Sequence, residues 1–319
     1  MKTLYWLVKR EFWEHRGGFL LAPIITGSVF LLITLLTVIS GEVLGHHMDM
    51  FHIDGMSGNW NINNTTDPEA LKHFGMALDV TICVAALIIL AVMAIVVFFY
   101  CLGSLYDDRR DRSILFWQSL PVSNWKTVIS KVISATFAAP VIAAVLGVVS
   151  GIALIIFAAV VASIHGLNVW SALSTAHPIE LLLNLVGLIP LYAICALPTI
   201  GWLMLCSAWA RSKPFLWAFI IPLASVFIVW WLHLLGVPGL DAKWYFSHIV
   251  SRMLFAVGPG NWTSFTAPLG PQDDTNVFDQ LSLLHNYSAL GSTELWAGTI
   301  AGGIMLAAAI WLRRWRDDN

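Results

Sequence analysis

The sequence predicts an all-α integral membrane protein with six transmembrane helices. Of its 319 residues, 58% are hydrophobic and only 11% are charged, and the mean hydropathy is +0.76. A soluble domain carries about 25% charged residues, because its surface faces water. The net charge of −2 argues against nucleic acid as a partner. The composition therefore places most of the surface of this protein in lipid.

Six stretches are long and apolar enough to cross a bilayer, which takes about 20 residues of helix. They run approximately over residues 17–41, 76–105, 132–164, 179–206, 215–236 and 294–312. Prolines lie inside them, among them Pro140, Pro190, Pro198 and Pro222. Each removes a backbone hydrogen bond and favours a kink. The whole chain, residues 1–319, is predicted to be a single transmembrane domain.

Basic residues are concentrated on one side of this topology. Fourteen of the seventeen lie before the first stretch, between the second and third, between the fourth and fifth, or after the sixth. Only Lys72, Lys243 and Arg252 lie on the other side. This bias follows the positive-inside rule. It predicts a multi-pass protein of the plasma (inner) membrane with both termini in the cytoplasm.

Residues 1–16 contain charges and aromatic rings but no apolar core, so they do not form a cleavable signal peptide. Lys2, Lys9 and Arg16 align at a spacing of seven, with aromatic residues on both flanks. This pattern favours a helix lying in the cytoplasmic interface. The amphipathic pattern is imperfect, because Leu7 falls among the acidic residues. An ordinary basic and aromatic anchor remains the alternative.

The loop between the second and third stretches carries the densest polar signal. From Tyr106 to Lys126 it reads YDDRRDRSILFWQSLPVSNWK. A mixed-charge run leads into four large apolar residues, and Ser-Leu-Pro-Val-Ser then breaks the helix. The pattern predicts a short helix parallel to the membrane, with Asp111 in its first turn. Its apolar side chains would face headgroups or a groove on a cytoplasmic partner.

This loop resembles that of the permease subunits of type-2 ABC exporters. The match covers Asp108, residues 119–123 and Lys126, with Lys131 near the start of the third stretch. Arg112-Ser113 stands where the family usually has Gly-Thr, and serine keeps the helix-starting hydroxyl. The layout is also similar over the full length: an interfacial N-terminal helix, six spans and a long outside segment before the last helix.

The resemblance implies that residues 108–120 form a coupling helix that docks on a separately encoded ABC ATPase. The implied coupling residues are Asp108, Arg109, Asp111, Arg112, Ile114, Phe116, Trp117 and Leu120. It also implies two ATPase copies, which bind ATP and Mg, and a second permease copy. A homodimer is expected, although a close paralogue could replace one copy. This chain has no GxxxxGK[ST] motif, so it is not expected to be an enzyme or to hold a catalytic, cofactor or metal site.

The predicted outside segment, residues 237–293, contains an apolar run over residues 244–255. The run is too short to span, which leaves a re-entrant helix or a helix resting on the membrane surface. The resemblance implies an outer gate in this segment. The gate residues would be Tyr245, His248, Ile249 and Met253.

Other polar signals are weaker. Asn184 and Thr199 could face a substrate path, but polar groups in spans more often bond to helix carbonyls or neighbouring helices. Residues 46–52 contain three histidines and two methionines, which could bind copper. A solvated loop is the more ordinary reading, because the spacing matches no defined site.

Two functions from different classes follow from the sequence. The first is an exporter permease whose cargo is amphipathic or lipid-like, including hydrophobic or antimicrobial peptides, because the interior is apolar. The second is a six-helix scaffold, sensor or membrane enzyme without an ATPase partner. Co-purification of a P-loop subunit would distinguish them.

Overall fold

The computed structural model describes residues 2–43, 68–110, 123–164, 170, 172–237, 239, 241–266 and 277–317. Regular structure in these ranges is entirely helical. Six of the described helices are long and apolar enough to cross a membrane, which confirms the predicted fold class at that level. Residues 46–52 and residues 111–122 lie outside the described ranges.

The helices are numbered here in chain order. They are α1 (Lys2–Glu14), α2 (Gly17–Leu21 continued by Ala22–Val43), α3 (Pro68–Arg110), α4 (Asn124–Ile133, Ser134–Ala138 and Ala139–Ile164 in one run), α5 (Pro178–Gly187), α6 (Ile189–Trp209), α7 (Pro214–Leu234), α8 (Ala242–Tyr245, Phe246–Val250 and Ser251–Phe255 in one run), α9 (Val277–Leu281), α10 (Leu283–Tyr287) and α11 (Thr293–Asp317). Short 3₁₀ turns occupy Ala172–Thr175, Asn261–Phe265 and Ser288–Gly291.

Prolines account for two irregularities in the spans. The stretch predicted as one helix over residues 179–206 is two helices, α5 and α6, which meet at Leu188. Pro190 has no N–H to offer a carbonyl of the preceding turn, so the helix is interrupted there. In α4, the widened π-helical turn Ser134–Ala138 lies directly before Pro140. Kinks and wide turns commonly occur where proline removes a backbone bond.

Helix α6 is the centre of the bundle, and most of its side chains are buried. It packs most closely on α11, at a crossing formed by Gly201 and Gly302. A Cβ at Gly302 would lie 2.5 Å from the carbonyl carbon of Leu197, so only glycine allows this approach. Small residues at such crossings let membrane helices pack by van der Waals contact.

Helix α8 folds back along α7 after a turn in which Gly236 and Gly239 have φ of 81° and 88°. Glycine adopts positive φ without steric cost. The helical run over residues 242–255 covers the apolar run at residues 244–255, and its re-entrant or interfacial placement stays a prediction. Its C-terminal end contacts the middle of α6, and its N-terminal half contacts α7.

Candidate functional site: a buried charge cluster beside the loop 111–122

Four charged side chains from four helices meet at the end of the bundle that carries α1. They are Glu11 of α1, Asp108 of α3, Lys131 of α4 and Arg313 of α11, and they are called the charge cluster below. The Nζ atom of Lys131 lies 3.3 Å from Oε2 of Glu11 and 3.4 Å from Oδ1 of Asp108. Nη1 of Arg313 lies 3.4 Å from the other oxygen of Asp108. Asp108 is 17% exposed at its side chain, and the other three are buried.

Glu11 is the most enclosed carboxylate of the cluster. Besides contacting Lys131, it accepts hydrogen bonds from Nη2 of Arg10 (2.8 Å) and from the hydroxyl of Tyr100 (3.0 Å). Burial alone raises the pKa of this carboxyl, but Lys131, Arg10 and Tyr100 outweigh it and leave the pKa below its ordinary value. The lowered pKa means that charged Glu11 stabilises the fold at neutral pH. That contribution is lost as the pH falls through the lowered pKa.

A buried charge without a partner would destabilise the fold, so the ion pairs of the cluster contribute to holding the helices together. Each carboxylate has a cation within 3.4 Å, and each contact joins different helices. The ion pairs therefore hold α1, α3, α4 and α11 together at one end. Glu14 and His15 lie close to Glu11, with ligand-type atoms within 4.8 Å of one another. Glu11 is already paired with Arg10 and Lys131, so we do not assign a metal to this group.

Arg109, the neighbour of Asp108, ties the same end of α3 to α6. Its Nη2 atom donates to the carbonyl of Ala210 (3.1 Å) and to that of Ser207. The hydroxyl oxygen of Ser207 accepts from the backbone N–H groups of Leu105 (3.1 Å) and Tyr106 (2.9 Å). The end of α3 is thus fixed against the end of α6 immediately before the loop 111–122.

Of the predicted coupling residues, the structure brings Asp108 and Arg109 into this network. The other six lie outside the described residues: Asp111, Arg112, Ile114, Phe116, Trp117 and Leu120. Docking on an ATPase stays a prediction for all eight. Sequence reasoning did not identify Glu11 or Arg313 as site residues. A signal was present in α1, where Leu7 and Glu11 stand one helical turn apart and share the buried face.

A second set of polar contacts lies at the opposite end of the bundle. Nη2 of Arg252 lies 2.8 Å from Oε2 of Glu294, and Nη1 donates to the Glu294 carbonyl at 3.0 Å. Asp79 accepts from the backbone N–H of His177 at 2.8 Å. Polar residues therefore mark both ends of the spans.

The four predicted gate residues lie on α8. The hydroxyl of Tyr245 is 3.1 Å from that of Ser225 on α7, and His248 stacks on Trp244 with ring centroids 4.9 Å apart. Ile249 and Met253 face a groove between α8 and α11. The groove is lined by Pro198, Trp244, His248, Ile249, Arg252, Met253, Glu294, Ala297, Gly298, Ala301 and Met305. Gating by these residues stays a prediction.

Thr199 braces α8 against α6. Its side chain is fully buried, and its hydroxyl donates to the Arg252 carbonyl (2.6 Å) and accepts from the Ala256 N–H (2.9 Å). Asn184 is half-buried on α5. The contacts of Thr199 give it a packing role, and a substrate path past Thr199 and Asn184 stays a prediction.

Replacing Thr199 with valine should destabilise the protein by about 1–3 kcal/mol, because the Arg252 carbonyl and the buried Ala256 N–H lose their shared partner. The measurement is the thermal unfolding midpoint in a single detergent. Thr136→Val is the matched control, because Thr136 is also buried but bonds only the Val132 carbonyl of its own helix. Equal midpoints for the two variants would contradict the bracing role.

Comparison of the chain with protein-family models, with curated proteins and with solved structures finds no match.

Proposed function

We propose that this chain is the membrane-spanning permease subunit of a type-2 ABC exporter. It would move an amphipathic or lipid-like molecule, including hydrophobic or antimicrobial peptides, out of the cytoplasm or the inner leaflet. One observation carries the proposal. Asp108 and Lys131, which flank the loop 111–122 and belong to the region of family resemblance, form an ion pair with an N–O distance of 3.4 Å.

The contacts around this pair explain how a force on the loop would reach the spans. Asp108 and Arg109 terminate the helix that enters the loop, and Lys131 lies in the helix that leaves it. Asp108 is bonded onward to α11, Lys131 to α1 and Arg109 to α6. An ATPase that pulled or rotated the loop would therefore move these helices together. The ATPase supplies the energy, because this chain contains no P-loop.

The proposal places the charge cluster in the cytoplasm and α8 on the outer side of the membrane. Basic residues favour this orientation. Thr199, which α8 contacts, lies ten residues before the C-terminus of α6, or about 15 Å along the helix. This distance is about half the hydrocarbon thickness. A re-entrant α8 that reaches into the membrane from outside accounts for the contact.

A second permease copy fits the exposed side of the bundle. Helix α7 has few buried residues, namely Ala218 and Pro222. An apolar groove of about 430 Å³ lies beside it, with Phe99 and Phe215 stacked at its edge with ring centroids 6.2 Å apart. Two copies related by a two-fold axis would place the transport path between them.

Co-purification tests the proposed function. The tagged full-length chain, extracted from its native host in a mild detergent, should retain an ATPase polypeptide with a P-loop at equal stoichiometry. The complex should contain two copies of each subunit and hydrolyse ATP. A matched control is another multi-pass protein carrying the same tag in the same host. Recovery of the chain with no ATPase above the control would overturn the proposal and favour a scaffold, sensor or enzyme.

A further inference from the structure

The groove between α8 and α11 has the form of a binding site for a single hydrocarbon chain. Its volume is about 370 Å³, and it is partly open to the outside of the bundle. Pro198 of α6 forms part of the floor, and Ile249 and Met253 form one wall. The other wall is a face of α11 that carries Gly298 and Ala301. A Cβ at Gly298 would lie in van der Waals contact with Pro198 (3.4 Å) and with Nη1 of Arg252 (3.8 Å), so a larger side chain would extend into the groove.

The length of the groove matches one leaflet of a bilayer. Along α11 it extends from Glu294 to Met305, eleven residues, which is about 16 Å of helix. Half of the hydrocarbon layer is about 15 Å thick. An acyl chain that entered beside Glu294 would reach the end of the groove near the middle of the membrane.

The charges on α11 fix the position of the groove in the membrane. Glu294 and Arg313 are nineteen residues apart on this helix, about 28 Å, close to the thickness of the hydrocarbon layer. In the proposed topology Arg313, a member of the charge cluster, lies at one membrane boundary. Glu294 therefore lies at the opposite boundary, and the groove runs inward from it.

The rim of the groove carries one cation and one anion. Arg252 and Glu294 are paired at 2.8 Å, and the Glu294 side chain is 56% exposed. Arg252 is held in place by the Glu294 carbonyl and by the ring of Phe265, whose centroid is 4.4 Å away. A headgroup with a phosphate and an ammonium group complements this pair, with the phosphate on Arg252 and the ammonium on Glu294. A purely anionic headgroup would meet the Glu294 carboxylate.

We propose that this groove binds a zwitterionic phospholipid, with one acyl chain between α8 and α11 and the headgroup over the Arg252–Glu294 pair. The binding requires the membrane topology but not the proposed transport function. In a bilayer the surrounding lipid is as apolar as the groove, so selection comes from packing and from the headgroup contacts. The lipid would fill the space beside α8, which Thr199 holds against α6.

Native mass spectrometry of the full-length chain in mild detergent tests this proposal. The chain is titrated with phosphatidylethanolamine and, separately, with phosphatidylglycerol. The wild type should retain phosphatidylethanolamine in preference to phosphatidylglycerol. Gly298→Leu and Ala301→Leu, which place a side chain in the groove, should weaken phosphatidylethanolamine retention on the order of tenfold. Gly303→Leu is the matched control, because a Cβ at Gly303 meets nothing within 4 Å, and its retention should be unchanged.

The rim is tested separately from the groove, so that the proposal does not depend on a variant that fails to fold. Glu294→Gln changes one exposed group and should shift the preference toward phosphatidylglycerol, because Arg252 then has no competing anion. Equal retention of both lipids by the wild type and by Glu294→Gln would overturn the proposal. The proposal would also be overturned if Gly298→Leu dissociated the dimer but still retained the lipid. That result would show that a second copy of the chain occupies the groove.

Discussion

Replacing Lys131 with methionine should prevent the chain from being recovered as a stable, monodisperse protein. Lys131 is 2% exposed at its side chain and neutralises two carboxylates, those of Glu11 and Asp108. Methionine fills a similar volume but removes one of the two cations that the buried Glu11 contacts, the other being Arg10. Asp108 then has only Arg313 as its cation in the cluster. Removing one partner of a buried ion pair typically costs about 3–5 kcal/mol. That is a large part of the stability of an ordinary domain.

The measurement is the thermal unfolding midpoint in detergent, together with the gel-filtration profile. Lys126→Met is the matched control, because Lys126 lies in the same helix but is only half-buried, with its ammonium over the exposed Trp125 ring. It should behave like the wild type. Adding Glu11→Gln to Lys131→Met should restore part of the lost stability, since it removes a buried charge that has lost one of its two cations. A Lys131→Met variant as stable as Lys126→Met would show that the cluster does not hold the helices together.

The spans could be predicted from the sequence because each one is recognisable from the apolar residues of its own segment. A stretch of about 20 predominantly apolar residues is long enough to cross the bilayer, and this can be recognised without knowing which other segments it packs against. The interruption at Leu188 could not be predicted from the presence of a proline alone. Pro198 and Pro222 lie inside continuous helices, whereas the helix is interrupted next to Pro190. Whether proline bends or interrupts a helix depends on what the freed carbonyls find nearby.

The ion pairs of the charge cluster could not be predicted, because their members are far apart in the sequence. Glu11 and Lys131 are separated by 120 positions, so no periodicity connects them. In α1, Glu11 lies one helical turn from Leu7, and this made the amphipathic pattern look imperfect. The structure gives the reason: Lys131 neutralises Glu11, and the charged residue belongs to the buried face together with Leu7. Patterns assign charged residues to water, which fails where a partner arrives from another helix.

Thr199 illustrates the same limit at the other end of the bundle. A polar residue within a span can line a substrate path or join two helices by hydrogen bonds, and the amino-acid sequence does not distinguish these roles. Its two partners, Arg252 and Ala256, are more than fifty positions away. Only the fold-back of α8 along α7 brings them to α6.

If the chain is the proposed exporter permease, replacing both Phe116 and Trp117 with alanine should abolish transport and release the ATPase during purification. These rings lie outside the described residues. The expectation rests on the sequence of the loop and on its stems, which are the described ends of α3 and α4 that flank residues 111–122. The stems are fixed by Asp108, Arg109 and Lys131, so the loop is held at both ends and can present its apolar residues to a partner. Aromatic side chains dominate small interfaces, and losing two should cost on the order of 2–4 kcal/mol of docking. This corresponds to a weakening of roughly 30- to 1000-fold.

Pull-down of the ATPase and substrate-stimulated ATP hydrolysis measure this effect, with the thermal unfolding midpoint of the permease as the folding control. That midpoint should stay unchanged, because Phe116 and Trp117 belong to none of the six helices that are long and apolar enough to cross a membrane. Trp125→Ala is the matched variant, since Trp125 is an exposed ring in the first turn of α4, just beyond the loop. If aromatic rings here only rest among lipid headgroups, both variants should keep the ATPase. If the loop is a coupling helix, Trp125→Ala keeps the ATPase and hydrolysis, whereas the double variant loses both because its anchors to the ATPase are gone.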